Sequence, residues 1–361
     1  MRHRSFWCAL PWAAALTAAA PFAVAQEAQP AYVPESTVSG TIRNYGFALG
    51  GVLQKWEEAF RKTQPGVTFK DTLPTSDAAF PGLVTYQADL GPDGGEPAIT
   101  EALSFYETRG YPASFVIVAS GSFDQEGRSN GPVVFVNKDN PITELSVDQL
   151  DGIFGSARDG SLDGFVWTPE GARGADRDIR TWGQLGLKGA WARSLIQTYG
   201  HGPSGTARFF QWKVLGNTDK WNPNYEDFVE TGSKQIAVVD RTQKLGARYM
   251  LGTLLANDRF GIGWSTMSQA KGIPGIKLLA IAPRGGGRAV MPSAASFADR
   301  SYPLVRNIYI YFDRKPGTPL DPKLREFLRF VLSADGQRMV ADGGYVPLPA
   351  GLIAEQLKKL D

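Results

Sequence analysis

Two spacings of apolar residues run through the chain. Leu49, Val52, Leu53, Trp56 and Phe60 recur three and four positions apart, which predicts a helix over 47–62 that Pro65-Gly66 ends. Short apolar or β-branched runs flank it, at 37–42 and 67–69, so the chain opens as β-α-β. Residues 88–97 read as a strand end and a Gly-rich turn, with a short helix from Thr100. Tyr111–Ser120 and Pro132–Asn137 are continuous apolar runs, hence buried strands. Ser146 and Gln149 have capping-box spacing and start a helix through Leu150, Ile153 and Phe154. Residues 155–181 carry Gly, Asp and Arg with little periodicity and read as a long surface loop.

Further strands are predicted at 194–199, 235–240, 259–265, 277–281 and 307–312, with a helix over 245–257. Arg284-Gly-Gly-Gly-Arg288 reads as a surface turn. Asp321-Pro322 supplies an N-cap and a first-turn proline for an amphipathic helix through Leu324, Phe327, Leu328 and Val331. Ser333 caps a second helix that stops at Gly343-Gly344. Strands alternating with helices imply an α/β protein.

One stretch points to binding chemistry. After Tyr199-Gly200-His201-Gly202-Pro203, the run Ser204-Gly205-Thr206 opens an amphipathic helix that ends near Gly216. A helix start carries unpaired N–H groups and partial positive charge, and hydroxyls beside a glycine let an anion approach the backbone. Ser204 and His201 also permit a hydrolase reading, but Pro203 precedes the serine, so no Gly-x-Ser-x-Gly elbow exists.

The N-terminus changes where such a site would act. Met1-Arg2-His3-Arg4, an Ala-rich apolar run and Ala23-Val24-Ala25 have the layout of a cleavable signal peptide over 1–25, which predicts an exported, periplasmic protein. Residues 26–36 are polar and Pro-containing and read as a flexible leader. The only cysteine, Cys8, would leave with the signal, so neither a disulfide nor a lipid-attachment cysteine is expected, and the protein should diffuse freely. Of the two histidines only His201 remains, which excludes a multi-His metal site. Loss of Arg2 and Arg4 lowers the basic count from 38 to 36, equal to the 36 acidic residues. A neutral mature chain argues against nucleic acid as a partner.

Several segments then line up in order with one family. They include Leu53-Gln-Lys-Trp56 with Gln64-Pro-Gly-Val67, Ala88-Asp-Leu-Gly91, Asn140-Pro-Ile142 with Leu150-Asp-Gly-Ile-Phe154, Thr181-Trp-Gly-Gln-Leu-Gly186 and Ser204-Gly-Thr206. Gly261-Ile-Gly263, Tyr302-Pro-Leu304, Tyr309-Ile-Tyr311, Phe327-Leu-Arg-Phe-Val-Leu-Ser333, Gly336-Gln337 and Gly344-Tyr-Val-Pro-Leu348 follow. Over nearly its whole mature length the chain resembles the periplasmic phosphate-binding proteins of ABC importers and their solute-binding relatives. The resemblance implies a two-lobed, type II α/β fold with the ligand in the cleft between lobes. Lobe one would span 37–120 and 272–361 and lobe two 121–271, with crossings near 112–135 and 262–275. It also implies a monomer that serves an inner-membrane ABC permease, uses no cofactor and does no chemistry on its ligand.

By position, the resemblance places the ligand at three elements. The first helix start is Tyr45-Gly46-Phe47, the acidic turn contains Asp93, and the third element is Ser204-Gly205-Thr206. The chain also departs from the pattern. The family's arginine before Ser-Gly-Thr is absent, and His201 is the nearest substitute. The Gly- and Ser/Thr-rich first turn is replaced by Arg43-Asn44-Tyr45-Gly46, and the Ser-rich segment after the second strand becomes Thr72-Leu-Pro-Thr-Ser76-Asp77. Two readings follow. Either Arg43 or Arg208 replaces the lost cation and the ligand is phosphate or a close oxyanion, or Tyr45, Phe47 and His201 line a pocket for a larger, less charged ligand. An exported sensor or interaction protein on the same fold is a third class.

Overall fold

A computed structural model describes residues 29–230, 236–239 and 242–361. The expected signal peptide lies outside the described residues. In chain order the first part runs β1 (Gly40–Tyr45), α1 (Val52–Thr63), β2 (Val67–Thr72), α2 (Ala79–Val84), β3 (Leu90–Asp93), α3 (Ile99–Arg109) and β4 (Ser114–Ser120). Then come β5 (Pro132–Asn137), β6 (Glu144–Ser146), α4 (Val147–Phe154), β7 (Ser161–Asp163), β8 (Val166–Thr168), β9 (Gln197–His201), α5 (Gly205–Val214), β10 (Tyr225–Phe228), β11 (Ile236–Val239) and β12 (Thr242–Leu245). The remainder is α6 (Ala247–Tyr249), β13 (Gly261–Thr266), α7 (Met267–Ala270), β14 (Ile276–Leu278), β15 (Ala280–Ala282), α8 (Ala294–Ala298), β16 (Asn307–Phe312), α9 (Pro322–Val331), α10 (Ala334–Asp342) and α11 (Ala350–Lys358).

Two five-stranded sheets share one plan. The first has the order β2-β1-β3-β16-β4 and the second β10-β9-β13-β5-β14. In each, three parallel strands are followed by one antiparallel strand from a distant part of the chain, β16 in one and β5 in the other. Each sheet has its own core. Ile42, Trp56, Phe60, Phe312, Phe327 and Val331 pack in the first lobe, and the Trp56 indole donates to the Gly336 carbonyl at 2.9 Å. Phe154, Trp182, Phe210, Trp264, Phe297 and Tyr302 pack in the second. The parallel strands of both sheets end at the cleft, where ligands of open α/β sheets bind.

The structure moves several expected boundaries. β1 begins three residues later than expected, so Arg43, Asn44 and Tyr45 lie in a strand rather than in a loop. The predicted strand over 277–281 is two strands, β14 against β5 and β15 against β6. β14 is the edge of the second sheet and β15–β6 is a separate two-stranded pair, and Leu279, Ile281, Phe297, Tyr302 and Leu304 are buried in the second core. The return to the first lobe therefore falls near Arg306, not near 262–275. It meets the outward crossing there, since the Gly121 N–H donates to the Arg306 carbonyl at 2.7 Å.

Residues 155–181 are not a featureless loop. β7 and β8 form a hairpin. Arg158 spans both oxygens of the buried Asp151 carboxylate at 2.7 Å each, and Arg173 approaches the same group at 3.2 Å. The described part of the leader is also held. Tyr32 packs on Phe60 and Phe330, its hydroxyl donates to Glu326 at 2.5 Å, and the Ala334 N–H donates to the Pro30 carbonyl at 3.0 Å. Among the described residues no helix is long and apolar enough to cross a membrane.

Candidate functional site

The first expected ligand element is turned to other work. Arg43 grips Asp89 through Nε at 3.0 Å and Nη2 at 2.6 Å, and its Nη1 donates to the Tyr86 carbonyl. Asn44 is buried and donates to Glu57 at 2.9 Å and Asp71 at 3.0 Å. The Tyr45 ring packs over Gly82, where a Cβ would lie 2.6 Å from the tyrosine Cβ. The Gly46 N–H donates to the Thr72 carbonyl and the Phe47 N–H to the Pro92 carbonyl, so neither is open to an anion. Gly46 has φ +150°, and a Cβ there would collide with the Pro92 carbonyl oxygen, so the crossing of these two segments needs glycine. The family resemblance placed these five residues at the site, but strand register turns Arg43 to Asp89 and pairs the backbone beyond it.

The acidic turn lies against Arg306, which a Cβ at Gly95 would meet. Asp93, the last residue of β3, is 3 % exposed. Its Oδ1 accepts from the Gly95 N–H at 3.1 Å, and Ser76 Oγ accepts from the Gly94 N–H at 3.1 Å. Burial pushes the Asp93 carboxyl up to about 7, against the opposing pull of Ser76, the Gly95 N–H and Arg306. Glu96 lies beyond this turn. Its Oε1 accepts from the Tyr309 hydroxyl at 2.8 Å, while Oε2 is buried without a partner, and burial raises its pKa.

Across the cleft, Ser204 caps α5 by accepting from the Ala207 N–H at 3.2 Å. Gly205 and Thr206 then present N–H groups that no residue of the helix can accept. The Thr206 hydroxyl donates to Glu230 at 2.9 Å. His201 is not in a loop. It ends β9, shares a hydrogen bond with Ser265 Oγ through Nε2 at 2.9 Å, and turns Nδ1 towards Glu230 at 3.5 Å. It therefore faces Ser265 rather than Ser204, and the pair that a hydrolase reading requires is not formed. Burial would raise the Glu230 carboxyl, but His201, Arg306 and Thr206 outweigh it and hold it at about 2.

The cation that joins these groups is Arg306, a residue that sequence reasoning missed. It is 5 % exposed and lies at the return crossing, just before β16. Its Nη1 donates to Thr206 Oγ1 at 3.1 Å, and its Nε is buried without a partner. A Cβ at Gly205 would lie 2.6 Å from Nη2, and one at Gly95 would collide with the same atom. Glycine at both positions thus makes room for the guanidinium between the acidic turn and α5. The only signal in the sequence was a charge wedged between Leu304-Val305 and the apolar strand Ile308–Phe312. Arg208, the other expected cation, ties the lobes together by donating to Asp77 at 3.0 Å and to the Glu96 carbonyl at 3.4 Å.

Residues 46–335 match a family described as a PBP superfamily domain. The chain is 31 % identical to the phosphate-binding protein PstS of Pseudomonas aeruginosa, with 100 % of this chain and 99 % of that protein covered. It is 23 % identical to the phosphate-binding protein PstS of Staphylococcus saprophyticus, over 87 % of this chain and 82 % of the relative. Among solved structures, PstS from Borrelia burgdorferi has a TM-score of 0.52 at 13 % identity and covers 86 % of this chain and 99 % of its own.

Proposed function

We propose that this chain, which belongs to the PstS phosphate-binding proteins of the PBP superfamily, captures phosphate in the cleft between its lobes and delivers it to an ABC importer. The observation that carries the reading is Arg306 facing the start of α5 from beside Asp93. A phosphate there meets one guanidinium, the first N–H groups of a ten-residue helix and the hydroxyl of Ser76. Arg306 takes the part of the arginine that is missing before Ser204, from a different segment of the chain. His201 supports Glu230 and Thr206 from behind and does not replace that arginine.

Asp93 supplies selectivity. A carboxyl whose pKa lies near neutrality can share the proton of hydrogen phosphate, whereas sulfate has no proton to share. The protein acts outside the cytoplasm as a monomer, and the lobes close about the crossings at 121–131 and near Arg306. The test is calorimetric titration of the purified protein with phosphate, and with sulfate as control. Micromolar or tighter phosphate binding with sulfate rejected is expected. Absence of heat with phosphate would overturn the reading in favour of a less charged ligand.

A further inference from the structure

The β7–β8 hairpin is built as a stiff arm. Gly164, at φ +59°, and Phe165 form its two-residue turn between Asp163 and Val166, and a glycine at the first turn position lets the loop follow the twist of the strands. At its base the Arg158 and Arg173 backbones pair in both directions at 2.9 Å, and Asp151 holds both side chains. That anchoring sets the direction in which the arm points.

The tip crosses to the other lobe. The Phe165 ring lies 4.9 Å from the Tyr106 ring on α3, tilted by 40°. Among the described residues neither ring packs in the core of its own lobe. On α3, Ile99, Leu103 and Tyr106 are spaced four and three apart and stay 40 %, 37 % and 40 % exposed, so they form an apolar row on one face of the helix. Each of the two rings thus meets its aromatic partner in the opposite lobe. A second tie lies on α5, where Arg208 donates to Asp77 at 3.0 Å. Phe165 and Arg208 both line the interlobe cleft of about 920 Å³, and the Phe165–Tyr106 tie shares no residue with the anion site.

We propose that the hairpin is a strap: Phe165 fastens on Tyr106 and, together with Arg208–Asp77, holds the lobes engaged independently of any anion between them. Phe165 and Tyr106 are positioning residues that touch no ligand. Their contact raises the share of molecules whose lobes already face each other, and apparent affinity rises with that share. This last consequence rests on the anion-site reading above, whereas the strap itself does not.

The native protein, Phe165→Ala, Tyr106→Ala and the double variant test the proposal. Both rings lie at the surface of their own lobes, so the fold should survive their loss. Small-angle X-ray scattering without added phosphate decides the strap. Each single variant should have a larger radius of gyration than the native protein. The double variant should show no further increase, because one contact is lost in all three. The same radius in all four proteins, or increases that add, would overturn the proposal. Calorimetry with phosphate reads the consequence: affinity should fall about two- to tenfold in each variant, again without adding. Equal phosphate affinity in all four would overturn the part of the strap in capture. Failure of the native protein to bind phosphate would overturn the anion-site reading and leave the scattering result to stand.

Discussion

Arg306 Nη1 donates to Thr206 Oγ1 at 3.1 Å, and that hydroxyl donates in turn to Glu230 at 2.9 Å. One threonine thus connects the cation at the interlobe crossing with an acid of the second lobe. Both charges are largely out of water, so each depends on the other through the hydroxyl between them.

Arg306→Ala should therefore weaken phosphate binding by at least about hundredfold, because the anion and the surrounding acids would lose their buried cation. Arg43→Ala is the contrasting variant. Its guanidinium is committed to Asp89 and is 39 % exposed, so phosphate affinity should be unchanged while stability falls by about 1 kcal/mol or less. Calorimetry and urea unfolding on both variants separate the two roles.

The elevated Asp93 carboxyl makes stability fall as pH rises. The folded protein keeps a proton up to about pH 7 that the unfolded chain gives up near 3.8, so the stabilisation is full below that lower value and is lost as pH rises through 7. Glu57, pushed up to about 8 by burial first and Asp71 second, adds to the same trend. Asp93→Asn should remove its part, so that the ligand-free variant loses about 2–3 kcal/mol less than the native protein between pH 5 and pH 8. Its phosphate affinity should fall at the same time. Thermal melts at the two pH values, with and without phosphate, show both effects.

Asp151 holds Arg158 and Arg173 in the base of the hairpin segment, and all three side chains are at most 5 % exposed. Asp151→Ala leaves the buried Arg158 guanidinium without its carboxylate, while Arg173 keeps Asp178 at 2.7 Å, and should cost about 3–5 kcal/mol. Urea unfolding measures that loss. Limited proteolysis should cut within 155–178 well before the rest of the chain opens.

Tyr32 fastens the N-terminal segment to α9. Tyr32→Phe removes the hydrogen bond to Glu326, which keeps Arg329 as a partner, and the long one accepted from Gln64 Nε2 at 3.4 Å, and should cost about 1–2 kcal/mol. Tyr32→Ala also empties the space against Phe60 and Phe330 and should cost about 3 kcal/mol or more. Urea unfolding of the two variants distinguishes hydrogen bond from packing.

Local signals in the sequence held where local physics decides. Pro132–Asn137 and Asn307–Phe312 are strands with the limits their apolar runs suggest, and Ser146, Ser204, Asp321 and Ser333 cap the helices they precede. What depended on distant partners was not legible. Arg43 finds Asp89 and Arg306 finds Thr206 only through folding, across 46 and 100 residues. The single run over 277–281 divides between two strand partners, which no periodicity reveals, and with it went the lobe boundary. The leader looked mobile because its anchor, Tyr32, is one aromatic in a polar stretch whose docking surface lies some 300 residues on.

The position of Arg306 beside Gly121, where the two crossing segments meet, sets the mechanics of capture. A group on a pivot has almost no lever arm. On the proposed function, a swing of the lobes about this crossing would carry Gly205 and Thr206 at the start of α5 through a larger arc than the Arg306 backbone held by Gly121. An incoming anion can therefore dock on a stationary charge first and be enclosed second. On the same reading, release would begin with the withdrawal of the helix start rather than with the rupture of the full ionic contact to Arg306, which would lower the work a membrane partner must do to empty the receptor.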